Sequence, residues 1–524
     1  MNASNDKCGG ILLAAGRKRD DDGTTGFLEL FPFLDITSAC FPKIQFAEPS
    51  HWKVVLEREL NAESMETQEV STATCKVVIM RKFRKGSLIG LVICGLAGVL
   101  PLLALGNRAA RKASKRDAQL AAEIRGNATM REVHAMALKL LKGGLDAGNT
   151  YHSVWIRDMN TFIELSLEVN PRMRVRDALL TFFKFQGANG NVIDGYAPLN
   201  RARLTPTSRL TPLAPDLMGF KNSVEIDQES SLVQAVYKYV KETGDGSILD
   251  ERIGGKTVRV RLALAMQYVM SDHFDPTHGL IWGATRADWG DVQPETNPGV
   301  LLDSHSHRAL CIYDNAMFIL AIDDYLQLPG LRPDEAAHWT EVRNRLKRNV
   351  RKYLWDKKRR KFIPHVYLEG SPFPKSFDEN AIYYFGGTAV AVEAGLLTRK
   401  EVAESLKAMD ADVKAAHASS IGLTLYPPYP AGFFKNRNMA PYHYQNGGDW
   451  SWFGGRMVRG LIEEGFIAAA YRELQPMVDR VQREGGFYEW WSRDDQRHGS
   501  ANFRGSAGEL GRDIELLDAW AQRH

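Results

Sequence analysis

The 524-residue sequence is poor in cysteine: there are five, and four of them fall before residue 95. Cys311 alone remains in the body of the chain, so no disulfide framework staples it. A surplus of one charge sign is also lacking. The 67 Lys and Arg against 63 Asp and Glu leave a formal +4, too little to imply nucleic acid or another polyanion as partner. There is no phosphate-cradling glycine loop, no nucleophile elbow and no zinc motif. The histidines of "DSHSH" (Asp303, His305, His307) stand without a further ligand set, so no metal and no cofactor are expected. What remains is ordinary for a folded protein: 44% hydrophobic and 25% charged residues argue against disorder. The length suits two or three average domains, or one large domain with an appendage.

One apolar run stands out. "SLIGLVICGLAGVLPLLALG" (87–106) has no charge over twenty residues and follows "MRKFRKG", which begins at Met80. Basic residues, an apolar stretch and then small Ala104 and Gly106 have the order of a secretory signal. The same length also suffices to span a bilayer. We therefore expect residues 80–106 to be a signal peptide or membrane anchor. The rest of the protein is then exported (periplasmic or extracellular) or held outside the cytoplasm. Residues 1–79 carry no clear helical or strand period and read as a doubtful or disordered extension. Residues 107–130 read as a basic linker.

From residue 131 to 524 the pattern changes. "REVHAMALKLLKG", "QESSLVQAVYKYVKETGD", "NAMFILAIDDYLQL" and "EVAESLKAMDADV" place apolar residues three and four apart, the helical period. About twelve such segments alternate with long Gly/Pro/aromatic loops, and few stretches alternate as strands do. Loops this long in a compact domain are usually functional. The pattern predicts an all-α domain, either a toroid of paired helices with its loops at one mouth or an irregular bundle.

Four blocks occur in order: "YHSVWIRDMNTFIELSLEVN" (151–170), "VEIDQESSLVQAVYKYVKETGD" (224–245), "YHYQNGGDWSW" (442–452) and "GGFYEWWSRDD" (485–495). The set resembles the six-hairpin glycosidases, and most closely the alkaline/neutral invertases and their bacterial relatives. The resemblance spans roughly residues 130–520. It implies an (α/α)6 toroid and an inverting glycoside hydrolase. In such an enzyme one carboxyl protonates the leaving oxygen and a second activates water, about 6.5–9.5 Å away. By the same resemblance the acid lies in the loop after the fifth helix and the base near the last helices. That makes Asp288 of "RADWGDVQPE" the general acid, Asp291 the second candidate, and Glu489 the general base.

The residues themselves support this chemistry. Trp289 and Trp282 offer an apolar wall that raises a carboxyl pKa by desolvation. Trp490 and its aromatic neighbours offer flat faces to sugar rings, as do Trp155 and Trp450. Arg157 and Asp158 open a helix and suit a grip on adjacent hydroxyls, although an acid there also favours the helix dipole. Asp227 binds substrate or caps its helix. Tyr444, Gln445 and Asn446 precede paired glycines that permit close backbone approach.

The expected substrate is a small α-glucoside or other oligosaccharide. The acid loop and the acidic helix start differ in detail from the plant-type invertases, so sucrose itself is not implied. Related toroids cleave trehalose, glucosylglycerate and glycan-end glucose. Two other classes remain open. A sugar epimerase or polysaccharide lyase would use His or Tyr, for which His443 between Tyr442 and Tyr444 is placed. A non-catalytic carbohydrate-binding protein would need only the aromatics. Nothing in the sequence sets the oligomeric state.

Overall fold

The computed structural model describes residues 115–524, together with two earlier hairpins, Ala15–Arg17 with Leu28–Leu30 and Glu69–Thr72 with Cys75–Val78. Contacts divide the chain into one unit over Met1–Cys94 and another over Gly95–His524. The apolar run 87–106 lies outside the described residues. No helix among the described residues is long and apolar enough to cross a membrane.

Thirteen helices are described: α1 (115–126), α2 (Ala128–Lys142), α3 (Ile156–Val169), α4 (Arg172–Phe185), α5 (Gln228–Thr243), α6 (Val258–Asp272), α7 (Ile312–Leu326), α8 (Pro333–Tyr353), α9 (Phe385–Glu393), α10 (Arg399–Ala416), α11 (Ser451–Glu463), α12 (Ile467–Glu484) and α13 (Arg504–Gln522). The stretch read as a basic linker is therefore helical from residue 115, and Ala121 and Ile124 join the core.

Alternate helices form a ring. α3 packs on α5, α5 on α7, α7 on α9, α9 on α11, α11 on α13, and α13 closes back on α3. Six of the remaining seven lie outside them: α2 against α3 and α13, α4 against α3 and α5, α6 on α5, α8 on α7, α10 on α9 and α12 on α11. This closed double layer is an (α/α)6 toroid.

The two layers have different sequences because they bury different faces. Outer α8 buries only Trp339, Val342, Leu346 and Val350, a three- and four-residue stripe on an otherwise charged helix. Inner α7 is buried nearly all round, from Ile312 to Ile319 without a break. Inner helices also approach closely where glycine permits. A methyl group at Gly508 of α13 would sit 2.3 Å from the Cβ of Phe162 on α3.

Helix ends are set locally. At α10 the Thr398 hydroxyl accepts from the Glu401 N–H while Glu401 accepts from the Thr398 N–H, a reciprocal capping box. Thr398→Ala is expected to lower stability by about 1 kcal/mol, read as a downward shift in thermal midpoint with activity unchanged.

The long loops are not structureless. The segment between α4 and α5, with Val154–Trp155, forms a four-stranded antiparallel sheet through Gly195–Pro198, Leu217–Phe220 and Ser208–Arg209. A second sheet joins Phe274–Asp275, Leu280–Ala284, Arg308–Leu310 and Val366–Tyr367. These strands are two to five residues long, too short for an alternating pattern to show in the sequence.

Candidate active site

A cavity of about 150 Å3 opens where inner helices begin. Its walls include Ile156, Arg157 and Asp158 at the start of α3, and Gln228 at the start of α5. Trp450 and Trp452 enter at the start of α11, and Phe503 just before α13. The two loops singled out by sequence also meet here: Trp289 and Asp291 from "RADWGDVQ", and Glu489 from "GGFYEWW". Tyr444, Gln445 and Trp155, also expected, line it too.

Glu489 is buried and held at both oxygens. The Tyr151 hydroxyl donates to Oε1 at 2.6 Å and the Ser500 N–H to Oε2 at 2.8 Å. Burial raises its pKa above the ordinary glutamate value, while those two donors favour the ionised form and pull it back. Asp291 is half-buried, and its backbone N–H donates to the Gln445 side chain at 3.1 Å. Burial raises its pKa, opposed by Arg157 and by a hydrogen bond from Gln445. Its Oδ1 has no protein partner. Asp158 is buried too, and its Oδ1 is equally unpartnered. Burial, with a smaller contribution from Glu489, lifts its carboxyl to about 7 against the pull of Arg157.

Several expectations need correction. Asp288 does not line the cavity: it is fully buried, and its Oδ2 and Oδ1 accept from the N–H groups of Gly386 (2.7 Å) and Gly387 (2.8 Å). It thus caps the first turn of α9 from a left-handed backbone conformation, φ 51°. Burial lifts its pKa to about 8, but the carboxyl is no part of the cavity wall. Asp227 stands at the N-cap of α5, but its side chain makes no capping hydrogen bond. It holds Arg157 at 2.7 and 2.9 Å and accepts from the Tyr313 hydroxyl at 2.6 Å, behind the cavity wall. Arg157, bound also to Glu225, is committed to these carboxylates and leaves Asp158 as the free member of the expected pair.

Trp282 lies away from the site, in a second cavity of about 370 Å3, with Arg308 stacked 5.1 Å over its ring. Asn446 is turned into its own loop, donating to Tyr429 and Met439 carbonyls and accepting from the Tyr429 N–H. Trp490 is buried between His498, stacked at 4.3 Å, and His443, edge-on at 4.5 Å. His443 therefore packs behind the site rather than in it, with Nδ1 directed at the Asn438 carbonyl. In "DSHSH", Asp303 accepts from the His305 N–H at 2.8 Å and His307 pairs with Glu295 at 2.8 Å. Among the described residues no three His, Cys, Asp or Glu side chains gather as a metal would require.

Sequence reasoning missed Tyr151, Asp194, Glu225 and Gln228 as wall residues, and Trp452 and Phe503 with them. A usable signal was present: once every second helix is known to be inner, the residues just before and within its first turn face the mouth.

A closed helical double ring, with carboxylates and tryptophans gathered at the inner-helix N-termini, defines the six-hairpin class of glycosidases. Solved structures agree on the fold. An uncharacterized conserved protein from Thermus thermophilus is similar at 16% identity and TM-score 0.53, over 72% of this chain and 99% of that one. The GH63 mannosylglycerate hydrolase from the same organism, in complex with glucose, is similar at 16% identity and TM-score 0.50, over 74% and 99%. Its complex with Tris and D-glycerate gives 16% and 0.51, over 72% and 99%. No curated protein matches the sequence. Residues 143–461, more than half of the chain, match the glycosyl hydrolase 94 superfamily catalytic domain, and the chain belongs to that superfamily. It is a glycoside hydrolase.

Proposed function

We propose that this glycoside hydrolase cleaves a small α-glucoside or other oligosaccharide with inversion, Asp291 acting as general acid and Glu489 as general base. The observation that carries the reading is the meeting, across one tryptophan-walled cavity, of two carboxyls from loops far apart in sequence. Their partners sort the roles. Glu489 accepts two strong hydrogen bonds, which favour the ionised form a base needs. Asp291 keeps Oδ1 unpartnered and is raised by burial, so a proton resides there at neutral pH more readily than on an exposed aspartate. Donation from Asp291 to the glycosidic oxygen, with Glu489 taking a proton from the attacking water, completes the displacement. The Oδ1 of Asp158 and the indole N–H groups of Trp155 and Trp452 have no protein partners and suit sugar hydroxyls.

The test is proton NMR of the full-length protein with sucrose, trehalose, glucosylglycerate and short α-glucans. Release of a sugar of inverted anomeric configuration is expected. A retained first-formed anomer would overturn the mechanism, and an epimerised or unsaturated product would overturn the reaction class.

Tyr151→Phe removes one of the two donors to Glu489. Because that hydrogen bond favours the carboxylate, its loss raises the base's pKa, so the acid limb of kcat/KM moves to higher pH. The rate at neutral pH is expected to fall about ten-fold, the lower end of what a hydrogen bond to a charged group contributes. A pH–rate profile of wild type and variant checks both.

Export is part of the same proposal, supported by the basic-then-apolar order of residues 80–106. A mature N-terminus near residue 107, found by peptide sequencing of the native protein, would bear it out. Recovery of residues 80–106 in a protein soluble without detergent would count against it.

A further inference from the structure

Six large apolar side chains are exposed among the described residues, and they gather on neighbouring elements. Leu199, Leu204, Leu210 and Leu213 crest the loops on either side of the strand Ser208–Arg209, with Leu204 73% and Leu210 62% exposed. A Cβ at Gly254 would lie 3.3 Å from the Leu213 side chain. Leu213 therefore rests on the turn 251–257, which leads into α6 and its exposed Val260. Met173, the sixth, stands one turn before Arg176 of α4, which pairs with Glu251 of the same turn at 2.9 Å. Exposed leucines scattered singly need no explanation, whereas a gathered apolar patch marks an interaction surface.

The crest carries charge of one sign. From Gly195 to Pro215 there are Arg201, Arg203 and Arg209 and no acid, in a chain whose charges otherwise nearly balance. All three arginines are exposed, and none is ion-paired among the described residues. The adjoining turn adds Arg252 and Lys256 against Asp250 and Glu251, which leaves that sign unchanged. The crest's backbone is partly closed on itself. The Ala202 N–H donates to the Leu199 carbonyl, that of Ser208 to Thr205 and that of Ala214 to Thr211, bonds that survive transfer to a layer poor in water. A second copy of this chain would set arginine against arginine. No aromatic residue falls between Tyr196 and Phe220, so the usual anchors of a protein partner's interface are missing. Leucines edged by arginines match instead a layer that is apolar within and anionic at its face.

We propose that residues 199–213 dock the protein on a lipid bilayer bearing anionic headgroups. The leucines enter the interfacial layer, and the three arginines lie against its phosphates. The sheet order puts Ser208–Arg209 at the edge opposite Val154–Trp155, three strand spacings or roughly 14 Å from the strand that carries Trp155 to the cavity wall. Docking thus uses the edge of the sheet away from the cavity. The inference rests on neither the hydrolase reading nor the export reading, and the crest lies outside the apolar run 87–106.

The experiment is amide hydrogen exchange of the full-length protein, read peptide by peptide by mass spectrometry. It is run with phosphatidylcholine vesicles, with mixed phosphatidylcholine and phosphatidylglycerol vesicles, and without lipid. On the mixed vesicles the amides of 199–213 are expected to exchange at least about ten-fold more slowly. High salt, which screens the arginines, should reverse that slowing. So should the double variant Leu204→Glu, Leu210→Glu, whose thermal midpoint should match the wild type because both leucines are exposed. Attachment through residues 87–106 alone would leave 199–213 unchanged, and that result overturns the inference. Equal slowing on phosphatidylcholine alone overturns the anionic requirement and the inference with it. Slowing that grows with protein concentration in the absence of vesicles assigns the crest to a second copy of the chain and overturns it too.

Discussion

Asp291→Asn should abolish most turnover, lowering kcat by about 10²–10⁴-fold, the usual share of a positioned acid or base. KM and folded structure should be nearly unchanged. Asparagine is close to isosteric, and the side chain it replaces lines a cavity rather than supporting the core. Glu489→Gln should cost as much. Asp288→Asn should do the opposite. Its carboxylate fills two N–H groups at the start of α9, and an amide would turn an NH2 toward one of them. A buried donor left without its acceptor costs about 1–3 kcal/mol. The expected signature is a lowered unfolding midpoint with kcat largely retained at temperatures where the protein stays folded. Steady-state kinetics and thermal unfolding on the three variants separate the roles. Loss of turnover in Asp288→Asn at full stability, with Asp291→Asn active, would reverse the assignment of the acid.

The second large effect is on stability. Arg286 and Asp314 form an ion pair with neither side chain exposed, and Arg286 also donates to the Val224 carbonyl at 2.8 Å. Asp314→Ala strands a buried guanidinium and should cost about 3–5 kcal/mol. Since Arg286 begins the loop that ends in Asp291, activity should fall with it. Removing both charges, Asp314→Ala with Arg286→Met, should recover much of the loss, because the cost lies in the unpaired charge rather than in the missing bridge. Denaturation midpoints for the single and double variants decide this. A double variant no more stable than Asp314→Ala would show that packing, not charge, is responsible.

Much of the ring is legible in the sequence, because helix periods are local. The stretches read as "QESSLVQAVYKYVKETGD" and "NAMFILAIDDYLQL" are α5 and α7 within a few residues. The short sheets were not legible, since two- and three-residue strands are defined by partners rather than by pattern. The site divides in the same way. That the loop around Trp289 faces the loop around Glu489 followed from the four ordered blocks. Which aspartate faces inward did not, because the groups that claim Asp288 are backbone amides nearly a hundred residues later. Trp282 and Trp490 were misread for a related reason. An aromatic residue suits a sugar only if its face is free, and Arg308 and His498 cover these two. Arg157 was expected to grip sugar hydroxyls together with Asp158, and its guanidinium is bound instead to Glu225 and Asp227.

The closure of α13 onto α3 has a consequence for how the enzyme is born. Translation delivers the ring in order, and its last segment supplies Glu489, Phe503 and the helix that joins first to last. Tyr151 must wait for a glutamate 338 positions downstream, and Asp146 for an arginine 358 positions downstream. Until those residues leave the ribosome, the inner faces of α3 and α11 have an open gap between them. A nascent chain is thus inert toward sugar and exposes apolar surface through nearly all of its synthesis. Turnover by this protein reports a closed ring.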